Sequence, residues 1–161
     1  MTKEILDSVD DIYLEQTIID GIYRLISMSR DGELNAVEEL SPGQRALYVT
    51  WLVEGEVNNG GFNQFYFNSS GQFSGMAVDG FRLFGANKFA DLMQRANTTY
   101  ESIKDDLQKF NDGTIESFSK SYENNPLSEI DRLFYQIYQE ENLSQFRIKY
   151  IRSHTEEFVQ N

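Results

Sequence analysis

The sequence contains no cysteine, one histidine and two prolines among its 161 residues. The absence of cysteine excludes a disulfide framework, a thiol nucleophile and a thiolate metal site. A single imidazole excludes sites that need two histidines, such as the H-E-x-x-H zinc site. The apolar runs are short, and the N-terminus lacks the long apolar core of a secretory signal. We therefore expect no membrane-spanning segment and a cytoplasmic location.

Negative charge exceeds positive charge, with 26 Asp and Glu against 14 Lys and Arg, a net charge of −12. This excess repels nucleic acid and anionic membranes and favours a basic partner. The acids lie in two blocks, since residues 1–60 carry twelve acids and four bases and residues 101–142 carry ten and four. Residues 61–100, which lie between the blocks, are almost neutral and are rich in aromatic residues and glycine.

Apolar residues recur at helical spacing through most of the chain, whereas the alternation of a strand is not found. A hydrophobic fraction of 40% and a length of 161 residues suit one folded domain. We predict an all-α, compact single-domain fold over residues 1–161, with short turns between helices. The predicted helices cover residues 10–30, 42 to about 57, 74–84, 87–110, 114–122, about 128–140 and 144–158.

Local signals indicate where several of these helices begin and end. Ser41-Pro42 is a typical start, with serine as N-cap and proline at the first helical position. Ser128 and Asp131 resemble an acidic variant of the capping box and predict another start. Gly32 is expected just past the end of the first helix, and residues 58–61 are expected to end the second.

The neutral middle contains an unusual segment, Glu56 to Gly71, that combines glycines, aromatic rings and amides. Two adjacent glycines permit a left-handed or otherwise strained turn between two helices. Aromatic residues then follow at i, i+3 and i+4, and nearby amides are able to satisfy backbone groups at helix ends. The segment is therefore either an aromatic slot for a base, sugar or peptide, or a packed corner. Its candidate residues are Asn58, Asn59, Gly60, Gly61, Phe62, Gln64, Phe65, Tyr66 and Asn68.

The string N-N-G-G-F-x-Q-F-Y-F-N-S-S-G, followed by Leu83-Phe84-Gly85-Ala86 and a helix near Asn87, resembles the DNA mimic protein 19 family. The resemblance is specific over residues 41–100. It implies a compact, mainly helical fold and is compatible with a homodimer. The member that names the family is an acidic protein that occupies a DNA-binding protein in place of DNA. Because the shared motif is mostly uncharged, any such mimicry must come from acids elsewhere in the chain.

Two groups of carboxylates are candidates for that role. Carboxylates at i and i+4 lie about 6 Å apart along a helix, so facing helices approximate the spacing of about 3.4 Å between phosphates. The alternative for each group is an ordinary solvated helix face, and Lys104 and Lys109 interrupt the second group. A helical wheel also places Asp11 and Glu15 close to the apolar side of their helix. The candidate residues are Asp7, Asp10, Asp11 and Glu15 in the first group and Glu101, Asp105, Asp106, Asp112 and Glu116 in the second.

The sequence offers little support for an enzyme. It contains no phosphate-binding loop, no G-x-G-x-x-G and no nucleophile elbow. Glu54 and Glu56 are two residues apart, so on a helix they point in different directions. His154 is a lone imidazole, expected to lie on the surface or to be partly packed. We therefore expect no catalysis, no cofactor and no metal.

Three hypotheses for the function remain open. The first is a binding protein that docks on a basic surface of a protein partner, which by the resemblance is a DNA-binding protein. It involves no direct contact with nucleic acid or membrane. The second is an immunity-type inhibitor of a basic toxin or nuclease. The third is a small-molecule-binding domain that uses the aromatic and amide residues of 58–68.

Overall fold

The computed structural model describes residues 2–159, so residues 1, 160 and 161 of the predicted domain lie outside it. The regular elements of the described chain are all helical, which confirms the all-α class. The α-helices are α1 (Lys3–Ser8), α2 (Asp11–Met28), α3 (Gly32–Glu38), α4 (Pro42–Phe67), α5 (Ser74–Leu83), α6 (Asn87–Gln108), α7 (Ile115–Lys120), α8 (Leu127–Glu140) and α9 (Leu143–Ser153). Two 3₁₀ turns cover Ser69–Phe73 and Thr155–Glu157.

Helix boundaries differ from the predictions at both ends of the chain. The short helices α1 and α3 were not predicted, because six or seven residues carry too little periodicity to be recognised. Gly32 follows the end of α2 as expected, but it does not cap that helix, because α2 already ends at Met28; Gly32 instead begins α3 with a φ of +83°. The last predicted helix ends at Ser153, and a 3₁₀ turn follows it.

Helix α4 contains the main irregularity of the fold. It begins as predicted, because the Ser41 Oγ accepts the Gln44 N–H and the Gln44 Oε1 accepts the Ser41 N–H in a complete capping box. Its backbone leaves helical geometry at Gly60 and Gly61, where the φ of Gly61 is +71° and its ψ is −178°. Only glycine adopts this region readily, so the predicted turn between two helical segments is confirmed.

The predicted capping box at the start of α8 is wrong. The Leu127 N–H at that start donates to the Asn125 Oδ1 at 2.9 Å. Asp131 lies one turn inside α8, and its Oδ1 accepts the Phe62 N–H of α4 at 2.7 Å. Because the break at Gly61 removes the regular intrahelical acceptor of that N–H, the carboxylate caps the second segment of α4 from another helix.

The hydrophobic core surrounds α4, which packs against α2, α3, α5, α8 and α9. All helices except α7 contribute buried residues to one cluster. Helices α4 and α5 approach closely, since a Cβ added at Gly80 would lie 3.2 Å from the Ala46 Cα. None of the helices in residues 2–159 is long and apolar enough to cross a membrane.

The break in α4 gives a first testable prediction. Gly61→Ala should lower the free energy of unfolding by about 3 kcal/mol, because alanine is strained at this φ and ψ and its Cβ would collide with the Asp131 carboxylate. Gly55→Ala, in the regular part of α4 with nothing within 4 Å of the added Cβ, should raise it by about 1 kcal/mol. Urea unfolding of both variants measures the two effects, and equal effects would contradict this account of the break.

Candidate protein-binding surface

The aromatic rings of the middle segment point into the core. Phe62, Phe65 and Tyr66 are all buried, and the ring of Phe62 meets that of Phe134 edge to face at 6.0 Å. Tyr66 stacks on Tyr100 with ring centroids 4.1 Å apart. A groove of about 380 Å³ is lined by Tyr66, by Tyr100 and by residues of the segment 68–72. The three rings therefore build a packed corner, and the small-molecule hypothesis stays a prediction.

The amides of the segment surround a carboxylate, whereas we expected them to satisfy backbone groups at helix ends. The Glu56 carboxylate accepts from the Gln64 Nε2 at 2.6 Å, the Asn68 Nδ2 at 2.9 Å and the Ser70 Oγ at 3.0 Å. The Asn59 Nδ2 donates to the Gln64 Oε1 at 3.0 Å, while the Asn58 side chain is exposed. Glu56 thus joins the two segments of α4 to the following 3₁₀ turn.

A second set of polar side chains connects the break in α4 to residues 121–125, which precede α8. The buried Asn63 donates to the Ser121 Oγ at 2.7 Å and accepts from the Asn125 Nδ2 at 2.9 Å. The Tyr122 hydroxyl donates to the carbonyl of Gly60 at 2.8 Å. Sequence analysis missed these contacts, because their partners are about 60 residues apart and no local spacing links them.

The first group of candidate carboxylates does not lie on one helix. Val9 has extended backbone geometry and follows the last residue of α1, so Asp7 is on α1, Asp10 immediately precedes α2 and Asp11 begins α2. The Asp11 carboxylate accepts from the Arg152 guanidinium at 2.8 and 3.0 Å. The half-buried Glu15 accepts from the Ser144 Oγ at 2.9 Å. Asp7 and Asp10 are exposed and form no salt bridge within residues 2–159.

Lysines largely neutralise the second group of candidate carboxylates. The pairs are Glu101–Lys104, Asp106–Lys109 and Glu116–Lys120, with N–O distances of 2.5, 2.5 and 2.7 Å. Asp112 accepts from the hydroxyls of Ser117 and Thr114 and from the Thr114 N–H, which lowers its pKa to about 2. Asp105 is exposed and has no cationic partner within the described chain. This group is therefore a solvated face with local ion pairs.

Unpaired negative charge is instead concentrated in residues 2–41, which form the first three helices and the turns beside them. Residues 2–41 carry ten acids against three bases. Of these acids, Asp11 and Glu15 form salt bridges to α9 and Glu33 accepts from the Tyr48 hydroxyl at 2.6 Å. The other seven are exposed and form no salt bridge within the part of the chain that the structure describes. These seven, which we name the N-terminal acidic region, are Glu4, Asp7, Asp10, Asp20, Asp31, Glu38 and Glu39.

A buried arginine anchors α9 to the carboxylates of α2 and α4. Arg147 is fully buried, forms an ion pair with Glu54 and donates to the Thr50 Oγ1 at 3.1 Å. Its Nη1 also lies 3.6 Å from the Glu15 Oε1. Burial raises the pKa of Glu15, and this effect outweighs the opposing influence of Arg147. Leu143, Arg147 and Ile151 share one face of α9, so an arginine in an apolar stripe was a signal that sequence analysis could have used.

The buried ion pair gives a second prediction. Arg147→Met should lower the free energy of unfolding by about 3–5 kcal/mol, because Glu54 and Glu15 lose the cation that compensates their burial. Lys104→Met removes an exposed lysine from its pair with Glu101 and should leave stability close to that of the wild type. Urea unfolding of the two variants compares the sites. A small effect of Arg147→Met would show that these carboxylates are not held by the guanidinium.

The buried carboxylate of α8 gives a pH-dependent prediction. Burial raises the pKa of Asp131 above its ordinary value of 3.8, although the Phe62 N–H opposes the shift. Native Asp131 therefore binds its proton more tightly than unfolded Asp131, so its contribution to stability falls as pH rises above 3.8 through the raised pKa. Asp131→Asn lacks this titration.

The measurement is the difference in unfolding free energy between the wild type and Asp131→Asn across this pH range. As pH rises, the wild type should lose stability relative to Asp131→Asn, by about 1.4 kcal/mol for each unit by which the pKa is raised. A difference that is constant from pH 4 to pH 7 would be inconsistent with the raised pKa.

These features define an all-α protein with a packed aromatic corner and an exposed acidic region within residues 2–41, whose carboxylates form no salt bridge in the described chain. The family model for DMP19-like protein matches residues 38–154. The chain therefore belongs to the DMP19-like protein family, which confirms the resemblance found in the motif. The matched part includes the broken helix α4 and extends through the whole of α9, whereas α1, α2 and nearly all of α3 lie outside it. Searches of curated proteins and of solved structures returned no match.

Proposed function

We propose that this protein is a non-catalytic binding protein that docks on a basic surface of a DNA-binding protein, in the place that nucleic acid would occupy. The observation that carries the proposal is the N-terminal acidic region, whose seven exposed carboxylates form no salt bridge within residues 2–159. Membership of the DMP19-like family supports it, because the resemblance described above implies a DNA-mimic role for the member that names the family.

The physical mechanism is electrostatic. Exposed carboxylates attract a basic partner over roughly 8 Å at physiological ionic strength, and uncompensated charge accelerates the encounter. Lys3, Arg24 and Arg30 are the three bases of residues 2–41, so the field of this region stays negative. Register is then set by shape and by a few apolar contacts. The same field repels nucleic acid itself, which favours a protein partner.

The environment of His154 supports a non-catalytic role. Its Nδ1 lies 2.9 Å from the Ser153 Oγ and 3.1 Å from the carbonyl oxygen of Tyr150. The imidazole also stacks on the Tyr150 ring, with centroids 4.1 Å apart. These contacts pack the ring against its own helix, and no carboxylate of the described chain forms a hydrogen bond with it.

Affinity capture from source cells at two salt concentrations that differ about tenfold tests the mechanism. The proposal predicts that the captured partner is lost at the higher salt concentration, because the carboxylates are screened. It also predicts that duplex DNA displaces the partner. Mass spectrometry identifies the partner, and titration with duplex DNA measures the displacement.

Polyglutamate at an equal concentration of charge is the matched competitor. Stronger displacement by duplex DNA than by polyglutamate supports occupation of a DNA-binding surface, and equal displacement indicates that charge alone is recognised. A partner that binds equally at both salt concentrations, or that ignores duplex DNA, would falsify the proposal. A partner whose nuclease or toxin activity is blocked would instead identify an immunity-type inhibitor.

A further inference from the structure

The first two helices present exposed apolar side chains beside unpaired carboxylates. We propose that this α1–α2 junction, defined by Asp7, Asp10, Ile12 and Tyr13, is the surface that docks on the partner. We further infer that the partner presents an apolar patch flanked by lysine or arginine side chains. The inference rests on the proposed function, from which it takes the positive charge of the partner. It adds the surface of this protein that makes the contact and the apolar patch on the partner.

The apolar part of the junction is unusually exposed. Ile12 and Tyr13 are 79% and 61% exposed, while Leu14, in the same turn of α2, is buried in the core. Covering these exposed side chains on binding would remove apolar surface from water, which is favourable. Ile5, on α1, is also more than half exposed. Ile12 and Tyr13 are adjacent in the chain, and a contiguous exposed apolar patch is typical of an interaction surface.

The charged part of the junction is available for a cation. Asp7 and Asp10 are exposed and form no salt bridge within residues 2–159. The nearby guanidinium of Arg152 is already bound to Asp11 and to backbone carbonyls. The junction therefore combines apolar anchors with a negative rim, which is complementary to an apolar patch with a positive rim.

The junction is also held in one geometry before binding. The Arg152 guanidinium donates to the carbonyls of Leu6 and Val9 and to the Asp11 carboxylate, which connects α1, the turn and α2 to α9. Leu6 is fully buried beneath α1. A surface fixed by these contacts loses little conformational entropy when it binds.

Charge argues against a second copy of this chain as the occupant. A two-fold contact would place the junction of one copy against the same junction of the other, so that Asp7 and Asp10 would face like charges. A homodimer, with which the family resemblance is compatible, is therefore expected to use another face. The family match begins at residue 38, so family membership does not by itself assign a role to this junction.

Two synthetic peptides with equal numbers of lysines test the inference with the full-length protein. One peptide carries leucines at helical spacing, and the other carries serines at those positions. The wild type should bind the leucine peptide more tightly, and Ile12→Ser should weaken that binding about tenfold, because a central apolar anchor is lost. Ile115→Ser is the matched control, since Ile115 is 85% exposed on α7, and it should leave binding unchanged. Fluorescence anisotropy gives the affinities.

A charge-matched pair of variants tests the negative rim. Asp7→Asn with Asp10→Asn should weaken binding of both peptides, whereas Asp91→Asn with Asp105→Asn, at exposed residues of α6, should have a smaller effect. Both double variants have the same net charge, so a difference between them reports position. Circular dichroism confirms that each variant keeps its helical content.

Several outcomes would overturn the inference. These are equal binding of the two peptides, no binding of either peptide by the wild type, or equal effects of Ile12→Ser and Ile115→Ser. A wild type that sediments as a dimer while Ile12→Ser sediments as a monomer would identify the junction as a self-association surface. Affinity capture separates the two proposals. If one of these results is obtained and the captured partner is still lost at high salt and displaced by DNA, only the role of the junction is refuted and the proposed function stands. A captured partner insensitive to salt would instead refute the proposed function, whatever the peptides show.

Discussion

The fold depends on side chains that form hydrogen bonds with the backbone N–H and carbonyl groups left unpaired where α4 breaks. At Gly61 the helix leaves its regular path, and the Phe62 N–H takes a carboxylate of α8 as its acceptor. Glu56, which lies before the break, accepts from the amides of Gln64 and Asn68 after it, and the Tyr122 hydroxyl donates to the carbonyl of Gly60. With these groups paired, the second segment of α4 can turn its aromatic rings into the core without leaving buried polar groups unsatisfied.

Sequence reasoning succeeded where the signal is local and failed where it is not. The Ser41-Pro42 helix start, the paired glycines and the apolar periodicity of α2 and α6 each depend on neighbouring residues, and each predicted its element. Asp131 was misinterpreted because its partner, Phe62, lies 69 residues away. Arg147 was missed because its carboxylate partner, Glu54, lies 93 residues away.

The acidic candidates show the same division. Lys104 lies three residues from Glu101, so that ion pair followed from helix spacing. Arg152 lies 141 residues from Asp11, so no pattern in the first helices indicated which carboxylate it would neutralise. Spacing in the sequence therefore showed which carboxylates are close together along the chain. Which of them remain without a cationic partner depends on the lysine and arginine side chains that folding brings beside them.

The contacts of Arg152 also bear on local unfolding. Helix α1 has only six residues, which is too short to be stable alone, and its last carbonyls are held by a side chain from the final turn of α9. We therefore expect α1 and that turn to open together, so that their amide hydrogens exchange with solvent together. The smallest cooperative unit at this corner thus combines residues from opposite ends of the sequence.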